Sequence, residues 1–497
     1  MNKVLWSLVA LIMCCVSTQA KSSKDLSDYV ARDAMAVLRI NDLAKLNKEI
    51  FAISGMPMNV SSLALMQMGN FSGQGFDQTR SVGAVLTGLK PVPSFYFIIP
   101  VTDAELFKKS CALPEGASMQ IEGQHVLVTL AGKLPLSFDN KLTPNSKTLA
   151  SLYIDAEQMV STHKQDIIGG LTMGRMKMSQ AMNQANKAET GADPVMLAKL
   201  MGTYFDIGQE FIFGLQDLQI DIDSAQGFVE LTQQVSFKNK TSFAKFCNNQ
   251  KNHALLDASK INNGMMQFSG ALNYSKALEA FRPFIDKITT QLNDQKIKDF
   301  ITTSLKDWEK IGTVQGAGAL NMNSVTDMSI SGFAKVLEGN IDWKALTRKS
   351  QNNPMMKEIS STLRQDYKEN IAKIDGKSVD SLTQTVPQAN GNPDIEQKFY
   401  YLFDKASMYF TMGDAYKEAF TNMLQQNEVY TKNTGIMHYV IDYNKFAMMQ
   451  IPLRLDSLVS VKKDGMISKT SMNLKNITSK MQKFGAQQQQ KLQQQQQ

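Results

Sequence analysis

One phrase, written twice, constrains this chain more than any other feature. FYFIIPVTDAELFKKSCALPEG runs from Phe95 to Gly116, and FVELTQQVSFKNKTSFAKFCNN runs from Phe228 to Asn249. Each is a β-rich run, a polar break and a short helix ending in F-x-K-x-C: Phe107, Lys109 and Cys111, then Phe243, Lys245 and Cys247. A chain that repeats a strand–helix phrase folds as units that bury their apolar faces against one another.

The phrase recurs. AMAVLRINDLAKLNKEIF breaks at Asn41 and Asp42, SLYIDAEQMVSTHK at Asp155, and QFSGALNYSKALEAF at Asn273. MYFTMGDAYKEAF breaks at Asp414 and MHYVIDYNKFAMM at Asp442. Asn, Asp and Thr suit such breaks because their side chains accept hydrogen bonds from the unpaired N–H groups of a helix's first turn. The spacing therefore predicts helix caps, in preference to catalytic groups, at these positions.

Hairpins are the second recurring piece. DLQIDIDSAQGFVELTQQVSF alternates Leu218, Ile220 and Ile222 with Gln219, Asp221 and Asp223 and turns through Ser224–Gly227. Further hairpins turn at Glu122–Gly123 and Asp464–Gly465. Alternation around a glycine-containing turn is the pattern of antiparallel strands. Helices lie between: one opens at Asp193–Pro194, and 275–311 reads as a helical pair ending at Trp308.

These pieces predict an α+β fold of antiparallel hairpins packed with long amphipathic helices, in duplicated strand–helix–hairpin units. A first half is expected over 24–250, with units 34–131 and 149–248, and a second over 251–480, with units 266–350 and 399–475. Segments 132–147 and 375–394 read as linkers, and the Gln-rich 481–497 as a low-complexity tail.

The first 20 residues have the order of a secretory signal: Lys3, an apolar run from Val4 to Val16, and Thr18 and Ala20 before Lys21. Export, to a periplasm or the extracellular space, is the expected localisation. No stretch of the remaining chain is apolar for long enough to span a bilayer as a helix. Removing 1–20 lowers the formal charge from +7 to +6, with no block of like charges to suit nucleic acid. It also removes Cys14 and Cys15. The two cysteines left, Cys111 and Cys247, are the candidate for one disulfide, with two buried thiols as the alternative.

The phrases DAMAVLRINDLAKLNKEIF and FYFIIPVTDAELFKKS resemble those of uncharacterised exported bacterial proteins built from repeated strand–helix units. The resemblance implies export and this kind of repeat, and it brings no active site.

No site motif emerges. The four histidines, His125, His163, His253 and His438, show no metal-ligand spacing, and no nucleophile elbow or P-loop is present. GAGAL at Gly316–Leu320 reads as a closely packed strand. Asp221 and Asp223 have a calcium-like spacing, but Ala225 replaces the next ligand. Thirty methionines include Met56/Met58, Met66/Met68 and Met176/Met178. Most suit flexible core or interface, although thioether pairs also suit copper(I). In IIGGLTMGRMKMSQAM, Met173, Met176 and Met182 form a helix face with glycines open to an approaching backbone. Three readings follow, with no cofactor assigned. The first is an exported noncatalytic protein that binds a protein partner or an apolar ligand in a groove between helices and sheet. The second is a hydrolase working with paired carboxylates, and the third a copper(I) handler.

Overall fold

The structure is a computed structural model. It describes residues 25–55, 73–89, 93–130, 133–138, 142–184, 194–261, 264–292, 294–322, 328–351, 364–386, 394–413, 415–426, 428–445, 453–475 and 477. The signal-like segment, Met56/Met58, Met66/Met68, Asp193, Asp414 and the Gln-rich tail lie outside the described residues.

The chain first forms β1 (Ala36–Ile40), α1 (Leu43–Ser54), β2 (Val82–Gly88), β3 (Ser94–Pro100), α2 (Ala104–Ser110), β4 (Ser118–Glu122) and β5 (His125–Thr129). It continues through β6 (Ala150–Asp155), α3 (Ala156–Thr162), α4 (Lys164–Gln184), α5 (Pro194–Gly214), β7 (Leu215–Ala225), β8 (Phe228–Phe237) and α6 (Ser242–Asn249). Next come β9 (His253–Leu256), β10 (Met266–Asn273), α7 (Tyr274–Gln291), α8 (Gln295–Trp308), β11 (Thr313–Met322), β12 (Met328–Val336) and α9 (Trp343–Gln351). The last stretch holds β13 (Arg364–Ile374), β14 (Lys377–Val386), β15 (Ile395–Asp404), β16 (Ser407–Met412), α10 (Tyr416–Gln426), β17 (Tyr430–Gly435), β18 (Met437–Asp442), β19 (Arg454–Lys462) and β20 (Gly465–Asn473).

Helices and antiparallel strands thus make an α+β protein. The breaks are caps: Asp42, Asp103, Asp155, Thr241 and Asn273 accept from the N–H groups of Lys45, Leu106, Gln158, Ala244 and Lys276. Each side chain satisfies a donor that the helix itself leaves unpaired.

Eighteen strands form one sheet, and every pairing in it is antiparallel. Its spatial order is β4-β5-β3-β2-β1-β6-β7-β8-β20-β19-β18-β10-β11-β12-β16-β15-β14-β13. A separate ribbon pairs β9 with β17. Four meanders stand out, β1-β2-β3, β6-β7-β8, β10-β11-β12 and β18-β19-β20, three of them with a helix between first and second strands. From the β8–β20 junction outward, both directions read third, second and first strand of one meander, then first, second and third of another.

Both faces are covered. In the first half, α1 and α2 close one face over Leu38, Ile40, Phe97, Ile99 and Val128. The segment from Leu26 to Ala34 closes the other over Val37, Val85, Tyr96, Ile98 and Leu127. In the second half, α10 packs Phe420 and Met423 onto Phe333, Tyr400 and Tyr409, and α9 packs Trp343 over Val314 and Val336 on the opposite face. GAGAL is the tight strand its composition suggests. A Cβ on Gly318 would meet the Phe268 ring at 2.6 Å.

Two expectations need correction. Segment 375–394 is no linker over much of its length: β13 and β14 form a hairpin through Asp375 and Gly376, both at positive φ. Val379 pairs with Leu402 while Leu382 pairs with Phe399, so the two apolar residues face opposite sides and show no period of two. The second correction concerns Cys111 and Cys247, which form no disulfide. Cys111 packs with Phe107 below α2, whereas Cys247 packs with Phe237 beneath α6. The order of strands in the sheet is the reason. The two helices follow β3 and β8, which the facing β1–β6 pair drives to opposite flanks, five strand steps or roughly 24 Å of sheet apart. A disulfide needs Cα atoms within about 7 Å.

Candidate functional site

The sheet face beneath α8 and α9 is incompletely filled. Asp294 caps α8 by accepting from the Ile297 N–H at 3.1 Å, and Ile297 fastens the helix through Leu292 and Ile288. This turns Phe300, Ser304 and Trp308, one helical stripe, toward α9. Asp342 caps α9 by accepting from the Ala345 N–H at 2.9 Å. Trp343, Leu346, Thr347 and Ser350 then share one face of it. Trp343 is pinned by Nε1 donating to the Ala406 carbonyl at 2.9 Å, and the Thr347 hydroxyl lies 3.8 Å from Met408 Sδ.

Between these stripes and Tyr401 and Met408 on the sheet lies a cavity of ≈ 410 Å³. Phe300, Trp308, Trp343, Leu346, Tyr401 and Met408 make its wall mostly apolar. Such a lining, with a few hydroxyls and one charge at the rim, is the usual make-up of a small-molecule pocket. The Trp308 ring is held against Tyr274, with centroids 5.3 Å apart. Burial raises the Tyr401 phenol above its ordinary pKa, so it stays a neutral wall.

Lys349 stands at the edge. Its Nζ is 5.9 Å from the Phe300 ring centroid and 2.7 Å from Asp307 Oδ2. The hydrogen bond from Lys349, opposed by partial burial and helped by Lys310, holds the Asp307 carboxyl below the usual range. On the far side of this pair a second cavity, ≈ 310 Å³, is lined by Asp307, Lys310, Asn340 and Asp342 and shares Leu346 and Lys349 with the first.

A larger space, ≈ 540 Å³, lies among α3, α4, α5 and α7, with Lys164, Lys238, Lys287, Asp206 and Glu210 around it. Several of these charges already have partners: Lys287 pairs with Asp206 at 2.6 Å and Lys238 with Glu157 at 3.3 Å, and Glu210 accepts from the Ser242 N–H.

The residues singled out in the sequence do not converge on one place. Asp221 accepts from Asn145 and Gln219, and Asp223 pairs with Lys45 at 2.5 Å, so both carboxylates hold the β6–β7 region together. Among the described residues, no group of three or more His, Cys, Asp or Glu side chains is placed to hold a metal. His438 bonds Asp456 at 2.8 Å, while buried His125 packs tilted against the Tyr29 ring. Met173 and Met176 lie 58% and 57% exposed on α4, beside Gly169 and Gly170, where added Cβ atoms would meet nothing within 4 Å. The most buried acid among the described residues, Asp380, accepts from Tyr367, Lys344 and the Asn370 N–H. With no exposed surface, it ties the edge strand β13 to α9.

Phe300, Trp308 and the Trp343–Leu346 helix were each legible as apolar helix positions, but their meeting over Tyr401 and Met408 was not. The usable signal is that two of the chain's three tryptophans, Trp308 and Trp343, flank one hairpin.

No family model matches the chain, and no curated protein matches it. One solved structure, titled "Structure of crystal form III of TP0453", aligns at 8% identity over 46% of this chain and 98% of that one, with a TM-score of 0.21. A likeness that low carries no argument about fold or function.

Proposed function

We propose that this chain is an exported, noncatalytic binding protein that takes an apolar ligand into the cavity beneath α8 and α9. The observation that carries this reading is the ≈ 410 Å³ space walled by Phe300, Trp308, Trp343, Leu346, Tyr401 and Met408. Its size lies within the range of natural ligand pockets, roughly 300–1,000 Å³. The signal-like start supports export. The order of strands, alike in both directions from the β8–β20 junction, supports the reading of two diverged halves.

The test is native mass measurement of the full-length protein taken from the exported fraction, before and after organic extraction. The reading expects an extractable apolar adduct, or an empty protein that gains one when offered apolar compounds. Protein that neither carries nor acquires such a molecule contradicts it. A copper adduct would replace it with the metal-handling reading.

A further inference from the structure

We infer that the ligand is a single-chain amphiphile with an anionic head, its tail in the aromatic cavity and its head between Lys349 and Lys310. The inference rests on the binding reading above and adds the ligand's class.

Two cavities share a wall. The aromatic one accepts hydrocarbon, and the other sets the charged and amide groups of Asp307, Lys310, Asn340 and Asp342 around Ile311, Ile341 and Ala345. Leu346 and Lys349 line both, so a molecule that fills the two passes from aromatic walls to a charged rim at these residues. Lys349 stands at that passage, its ammonium 5.9 Å from the Phe300 ring centroid and 2.7 Å from Asp307.

The sign of the head follows from the charges facing the neck: Lys310, Lys349, Asp307 and Asp342. Asp342 is engaged in capping α9, where the helix dipole offsets a carboxylate. Asp307 alone then serves two ammonium groups, Lys349 at 2.7 Å and Lys310 at 3.4 Å. Lys310 is the looser partner, with its side chain 70% exposed. An incoming anionic oxygen recruits Lys310 and shares Lys349 at small cost. A cationic head would face both lysines at close range, and a neutral head would leave them unused. Carboxylate and phosphate heads meet the same chemistry.

The experiment is calorimetric titration of the full-length protein, below micelle-forming concentrations, with dodecanoate, dodecyl phosphate, dodecanol and dodecyltrimethylammonium. At least one anion is expected to bind about ten-fold or more tightly than dodecanol, and which one does so distinguishes carboxylate from phosphate. In Lys349→Met that margin is expected to shrink to within about three-fold while dodecanol affinity holds. The exposed Lys310→Met is a second variant expected to lose part of the margin, should the first fold poorly. Dodecanol binding as tightly as either anion, or a preference for the cation, overturns the inference and leaves the binding reading intact. Binding of none of the four overturns both.

Discussion

Helices α2 and α9 occupy the same slot in their meanders, each following a third strand, yet one is packed solid and the other roofs a void. Under α2, Phe107 is fully buried, and the backbone around Gly75 presses against it. A Cβ at Gly75 would lie 2.5 Å from the Phe107 nitrogen. The neighbouring Phe76 bridges to Val101 and joins the same core. Before α9 the same kind of edge bridge pairs Ile311 with Gly339, and Ile311 joins the Trp343 core. α8 leans in beside it, and bulky rings brace the remaining space without filling it. One architecture thus yields a sealed core or a pocket, according to how closely the backbone beside the bridge presses on the helix, as Gly75 does on Phe107.

That contrast sets the largest expected effect. Phe107→Ala should cost about 3–5 kcal/mol in denaturant unfolding, because it opens a cavity in a filled core. Leu346→Ala should cost only about 1 kcal/mol, since its side chain already borders a void. Equal costs at the two positions would mean that the α9 space is closed.

A second asymmetry is protonic. His125 is buried against Tyr29 with its Nδ1 unpartnered, whereas His438 has Asp456. Burial, with Arg80 nearby, pushes the His125 imidazole down to about 4. The unfolded chain therefore binds a proton that the folded chain refuses between the ordinary value of 6.5 and about 4. Stability is full above that window and falls as the pH drops through it, by about 3 kcal/mol in all. His125→Gln should flatten this slope in a pH series of denaturant midpoints. A slope that survives the substitution would move the acid sensitivity elsewhere.

Glu49 offers a smaller test. Its carboxylate reaches from α1 to accept from the Ser224 hydroxyl and the Gln226 and Gly227 N–H groups, closing the β7–β8 turn. Burial alone would raise its pKa, but these bonds and Lys45 bring it below the ordinary value of 4.5. Its contribution is present above that pH and is lost as the pH falls further. Glu49→Gln should cost about 1–3 kcal/mol at neutral pH, measured by thermal or denaturant unfolding. No cost would show that the turn holds without it.

The thiols give the smallest effect and the sharpest contrast between the repeated phrases. Both should label without prior reduction once the protein is unfolded, and Cys111 should react first in the native state. Burial and the charge of Asp464 push the Cys247 thiol up to about 11, which suppresses its thiolate. A thiol count that rises only after reduction would restore the disulfide.

Much of the fold was legible where the signal is local. Asp42, Asp103, Asp155, Thr241 and Asn273 announce helix starts because capping chemistry operates within three residues. The hairpins at Gly123, Gly227 and Gly465 show in the same way. What stayed hidden depends on distant partners. Val379 and Leu382 are buried on opposite sides of β14, which erases the alternation that marks a strand. Repetition of F-x-K-x-C suggested proximity, but the β1–β6 pairing sends its two copies to opposite flanks. The candidate site needed α8, α9, β15 and β16 at once, and each contributes only ordinary apolar residues.

The central claim is that the space under α9 admits an apolar molecule, and Trp308 and Trp343 in its wall report on it. The decisive measurement is their fluorescence during titration with dodecanol, in the wild-type chain and in Ser304→Phe, which fills the cavity from α8. The account predicts a saturable change in the wild type and a loss of affinity of about ten-fold or more in the variant. No saturable change, or the same titration in both proteins, would contradict it.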